Sequence, residues 1–107
     1  MSAHEDTADS IVEHARSLAT LDPHMPARAW STAVAVHVRT IRLLAAPYVD
    51  GAVDRPFYKA LKAASLQVDG VFVHTPGGQV EMLVDTRRGQ QRFELLSPQA
   101  LRELDAG

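Results

Sequence analysis

Residues 68–96 carry the sequence VDGVFVHTPGGQVEMLVDTRRGQQRFELL, in which three short runs of alternating apolar and polar residues are separated by two turn signals. The first signal is Pro76-Gly77-Gly78 and the second is Thr86-Arg87-Arg88-Gly89. A period of two is typical of strands that bury one face, and glycine adopts at no steric cost the backbone angles that tight hairpins need. The stretch therefore predicts a three-stranded antiparallel meander.

The two turns also predict which residues face each other across the strands. A two-residue turn in the glycine pair places Val73 opposite Met82, and a four-residue loop at the second signal places Val80 opposite Leu95. Both hairpins then assign the same side chains to one apolar core face: Val71, Val73, Val80, Met82, Val84, Phe93 and Leu95. A slip of one residue in either hairpin would break up this set, so the pattern supports the register.

The opposite side of the predicted sheet, which we call the outer face, mixes polar and apolar side chains. Its residues are Phe72, His74, Glu81, Leu83, Arg92, Glu94 and Leu96. A face that met only water would carry less apolar surface. We therefore expect the outer face to be the functional surface.

Apolar residues at helical spacing predict three helices before the meander. The first follows polar residues 1–6, which we expect to be frayed, and it is capped by Thr7 or Asp9. The second covers about residues 27–46. Its length and alanine content favour a helix over a strand, and we expect it to be central and buried on most sides.

Asp54 is the expected cap of the third helix, with Pro56 in its first turn. After the meander, Ser97-Pro98 predicts the start of a short C-terminal helix that continues through Leu104. Helices segregated from strands are typical of the α+β class. The length of 107 residues predicts one domain over residues 1–107.

The composition is ordinary for a globular protein, with 46% hydrophobic and 22% charged residues. A net charge of -2 does not favour bulk electrostatic binding of nucleic acid or of an anionic membrane. The chain has no cysteine and no signal-like start, which predicts a cytoplasmic protein. Its many alanines and arginines suggest a bacterium with a GC-rich genome.

On the outer face, the register brings His74, Glu81 and Glu94 close together, with Arg92 beside them. Two opposed carboxylates need a cation between them, supplied by Arg92, by protonated His74 or by a metal ion. The simpler interpretation is a solvated face with loose ion pairs. Neither a catalytic residue nor a cofactor is assigned.

His37 lies on the apolar face of the predicted second helix. Such a histidine is usually neutral and bonded to a carbonyl or a tyrosine, here Tyr48 or Tyr58; the alternative is a general base or a pH switch. We find no titratable partner at helical spacing on its face. The remaining histidines, His4, His14 and His24, receive no role.

Basic residues of the third helix and the second hairpin are compatible with a winged-helix DNA-binding regulator: Arg55, Lys59, Lys62, Arg87 and Arg88. However, residues 47–53 form a longer connection than a helix-turn-helix uses. The simpler interpretation is a set of solubilising side chains.

The interpretation we rank first is a small non-enzymatic module that binds a protein partner, with self-association as one form of that binding. Its contact residues would be Phe72, His74, Leu83, Arg92 and Leu96. A DNA-binding regulator ranks second. An enzyme or metal-binding protein that uses His74, Glu81 and Glu94 ranks last.

Overall fold

Three helices pack on one face of a three-stranded antiparallel sheet in the computed structural model of this chain, which describes residues 3–48, 54–75 and 79–96. The elements are α1 (Ala3–Ala19), α2 (Ala27–Ala45), a 3-10 turn (Ala46–Tyr48), α3 (Arg55–Ser65), β1 (Val71–His74), β2 (Val80–Thr86) and β3 (Gly89–Leu96). The predicted α+β class is confirmed for three helices and the sheet. The predicted C-terminal helix, from Ser97-Pro98, lies outside the described residues.

The strand order is β1-β2-β3, as a meander requires. Val73 pairs with Met82 and His74 pairs with Glu81, so the predicted register of the first hairpin is confirmed. Residues 76–78, which were predicted to form its turn, lie outside the described residues.

From Glu81 to Val84 the second hairpin keeps the predicted register, but its turn is tighter than predicted. Thr86 pairs with Gly89, so only Arg87 and Arg88 lie between paired residues, where a four-residue loop was predicted. The Thr86 hydroxyl accepts a hydrogen bond from the Arg88 backbone N–H at 3.1 Å, and Gly89 has a φ of +110° that favours glycine. These two features let Thr86 and Gly89, which were predicted to be loop residues, pair as parts of β2 and β3.

The prediction that Val80 faces Leu95 is wrong. Val80 pairs with Leu96, because a register shift between Val80 and Glu81 makes Leu95 an extra residue on β3. A bulge of this kind changes the direction of the Leu95 side chain relative to a regular strand. Both Val80 and Leu95 are buried. All seven residues predicted for the core face are therefore buried.

The central helix is α1, and the prediction that α2 occupies this position is wrong. Helix α1 packs against both other helices and against β1 and β2, whereas α2 meets β3 and α3 meets β1. The buried residues of α1 are Ala8, Ile11, Val12, Ala15 and Leu18, whereas α2 buries only Trp30, Ile41 and Ala45. Because α2 lies over an edge of the sheet, Val36 and Leu43 remain more than half exposed.

A side-chain cap marks the start of α3. The Asp54 carboxylate accepts a hydrogen bond from the Phe57 backbone N–H at 2.8 Å, which confirms the predicted cap of α3. Helix α1 begins at Ala3, before the caps predicted at Thr7 or Asp9, so residues 3–6 are helical where a frayed start was predicted. No helix in the described part of the chain is long and apolar enough to cross a membrane.

The central position of α1 predicts a large cost for truncating its core side chains. Ile11 is fully buried, so Ile11→Ala should lower the free energy of unfolding by about 2–5 kcal/mol in a urea titration. Leu43→Ala is the matched control, because Leu43 is 51% exposed and its truncation should change stability by at most about 0.5 kcal/mol. Equal losses in the two variants would contradict the described packing.

Candidate functional site

The register arranges the outer-face residues in rows across the strands. One row contains Phe72, Leu83 and Arg92, and the next contains His74, Glu81 and Glu94. The three described helices pack their apolar side chains against the core face, which is the other side of the sheet. The outer face therefore combines an apolar pair with a charged group of residues.

The apolar pair consists of Phe72 and Leu83, which lie directly opposite each other on β1 and β2. The Phe72 side chain is large, yet the residue is 52% exposed, and Leu83 is half-buried. Leu96, also predicted as a contact residue, is the last residue of β3. The structure describes its backbone but not its side chain.

The charged group centres on the Glu81 carboxylate. His74 Nε2 lies 2.9 Å and Arg92 Nε lies 3.2 Å from the same oxygen, Glu81 Oε1. The Glu81 side chain is only 16% exposed, whereas those of His74 and Arg92 are 46% and 63% exposed. A mostly covered carboxylate held by two nitrogen donors forms a fixed polar rim beside the apolar pair.

Glu94 lies opposite Glu81, as predicted, and its backbone carbonyl accepts a hydrogen bond from Arg42 Nε at 2.9 Å. This bond ties the end of β3 to helix α2. Within residues 3–48, 54–75 and 79–96, no three histidine or carboxylate side chains are grouped in a way that could hold a metal ion. The contacts described for this group are those of His74 and Arg92 with the Glu81 carboxylate.

The basic residues predicted for DNA binding lie on α3 and at the hairpin between β2 and β3. The Arg88 guanidinium lies 4.8 Å from the centre of the Trp30 ring and donates to the Met25 carbonyl at 3.2 Å, so Arg88 packs the hairpin against the start of α2. Lys62 lies over the Tyr58 ring, while Arg55 and Lys59 are exposed on α3 and Arg87 is exposed at the hairpin. Helix α1 packs against both α2 and α3 and lies between them.

His37 has a titratable partner that sequence spacing did not reveal. His14 Nδ1 on α1 lies 3.3 Å from His37 Nδ1 on α2, so one imidazole must be protonated at Nδ1 for the two to hydrogen bond. The predicted tyrosine partners are wrong: the Tyr48 hydroxyl meets Thr7 instead, at 3.2 Å, and Tyr58 lies under Lys62. Burial and the adjacent His14 lower the pKa of His37 below its ordinary value of 6.5.

This lowered pKa predicts that acidification weakens the fold. Below pH 6.5 the unfolded chain protonates His37 before the folded chain does, so stability falls as the pH falls from 6.5 towards the lowered pKa. We expect urea titrations at about pH 7.5 and about pH 5.5 to show a smaller loss of stability in His37→Gln than in the wild type. His24→Gln, at an exposed loop position, is the control and should behave like the wild type. If His37→Gln loses as much stability on acidification as the wild type does, His37 is not the source of the loss.

Comparisons of the chain with protein-family models, with curated proteins and with solved structures gave no match.

Proposed function

We propose that this protein is a small protein-binding module that works through its outer face, and that a second copy of the chain is a partner. The observation that carries the proposal is the exposed Phe72 beside Leu83, on the face of the sheet opposite the helices. Large exposed apolar side chains next to one another are typical of interaction surfaces.

The apolar pair supplies the driving force. A phenylalanine buries about 150–250 Å² when covered, and buried apolar area contributes about 25 cal/mol per Å². Covering the exposed half of Phe72 therefore contributes roughly 2 kcal/mol, about thirtyfold in affinity, before the cost of association. One such residue at the centre of an interface has the properties of a hot spot.

The charged group around Glu81 favours a second copy of the chain as the partner. His74 and Arg92 lie against the Glu81 carboxylate, so the rim of the apolar pair carries opposite charges that are already close together. Two copies related by a twofold axis can place such rims against each other without a large excess of one charge. The sheet is also short, and among the described strands β1 and β3 each leave one edge unpaired.

A charged residue in place of Phe72 should abolish the association without unfolding the chain. We expect Phe72→Asp to weaken self-association by about tenfold or more in sedimentation equilibrium, with an unchanged far-UV circular dichroism spectrum. Leu43→Asp is the matched control, because Leu43 is 51% exposed but lies on α2, and it should self-associate like the wild type.

A wild-type chain that stays monomeric at high concentration would exclude the second copy as partner. If that chain also captures no other protein through Phe72, the proposed function is wrong. If the wild type captures a different protein and Phe72→Asp does not, the chain is still a protein-binding module. Only the identity of its partner then differs from the proposal.

Two alternatives remain predictions: a winged-helix-like regulator using Arg55, Lys59, Lys62, Arg87 and Arg88, and an enzyme or metal-binding protein using His74, Glu81 and Glu94. Arg88 packs on Trp30, and Glu81 is engaged by two neighbours. Neither geometry supplies an observation that favours these functions over partner binding.

A further inference from the structure

A groove of about 530 Å³ lies between α2 and Gln91 of β3, on the helical side of the sheet. Gln91 pairs with Val84 and belongs to the same side of β3 as the buried Phe93, so the groove is separate from the outer face. Its volume falls in the range of about 300–1,000 Å³ that is typical of small-molecule sites.

The floor of the groove is apolar. Trp30, Val34 and Val38 follow one another at intervals of four residues, which places them along one side of α2. Trp30 is only 7% exposed, and the two valines are half-buried. The floor therefore offers an apolar track that runs along the helix and winds slowly around it.

One end of this track is positively charged, because Arg39 and Arg42 line the groove there one turn apart. Arg88, whose guanidinium lies over the Trp30 ring, is not among the residues that line the groove. Arg42 Nε is anchored on the Glu94 carbonyl, which holds that guanidinium at the groove wall. Helix α2 contains no aspartate or glutamate, although the whole chain has a net charge of -2.

The length of the track fits a slender ligand. Trp30 and Arg42 are twelve residues apart on α2, which corresponds to about 18 Å along the helix axis. A single guanidinium group binds a carboxylate through two parallel hydrogen bonds, and this fork matches the planar carboxylate group.

We propose that this groove binds a soluble organic anion with one unbranched apolar chain, of the fatty carboxylate class. The carboxylate lies at Arg39 and Arg42, and the chain follows Val38 and Val34 towards Trp30. The charge complementarity of the arginine pair selects an anion, and the apolar floor selects a hydrocarbon body. This site is additional to the proposed protein-binding face.

Trp30 is the only tryptophan of the chain, so its fluorescence reports on this groove alone. We expect titration with dodecanoate, below the concentration at which it forms micelles, to change Trp30 emission in a saturable manner with one site. Arg39→Glu should weaken this binding by about tenfold or more, because it replaces an attraction by a repulsion. The far-UV circular dichroism spectrum should stay unchanged throughout.

Two controls separate a specific site from general attraction. Arg28→Glu makes the same charge change at an exposed position of the same helix that does not line the groove, and it should bind dodecanoate like the wild type. Dodecyltrimethylammonium, with the same chain and the opposite charge, should give no saturable change. The proposal is overturned if dodecanoate produces no saturable signal, if Arg28→Glu and Arg39→Glu lose affinity equally, or if the cationic compound binds as well.

Discussion

Burial of one face of a three-stranded sheet against α1 is the constraint on which the rest of this structure depends. Met82 and Val84 of the central strand are fully buried, as are Ile11 and Leu18 of α1. Side chains alternate along a strand, so burying these residues necessarily turns Glu81 and Leu83 to the other side. The composition of the outer face is thus a direct consequence of the core.

The same arrangement explains why the surfaces of the molecule differ. Because α1 covers the middle of the sheet, α2 is displaced to the β3 edge and packs on only one side. This displacement exposes Val36 and Leu43, and it opens the groove whose floor includes Trp30.

Most of the sheet could be predicted from the sequence because its determinants are local. Turn residues and a period of two fix the pairing of Val73 with Met82 without reference to the rest of the chain. The Asp54 cap is local in the same sense, since its partner Phe57 is three residues away. The charged group around Glu81 followed from the register and was therefore predicted with it.

Three of the mispredicted features depend on contacts between distant parts of the chain. His14 and His37 are 23 residues apart, and only the packing of α1 on α2 brings their rings together. The choice of α1 over α2 as the central helix depends on how three amphipathic helices share one sheet, which apolar spacing within a single helix does not encode. The bulge at Leu95 likewise reflects packing at the end of β3, where a regular ladder was the only local expectation.

The most direct test of the two-sided sheet is NMR relaxation of side-chain signals by a soluble, neutral gadolinium chelate in dilute protein. We expect strong relaxation of the Phe72 ring and little relaxation of the Met82 and Val84 methyl groups, since Phe72 is 52% exposed and the other two are fully buried. We also expect Phe72 to become protected as the protein concentration rises. Equal relaxation of Phe72 and Met82 in dilute protein would show that the sheet does not have one buried and one exposed face.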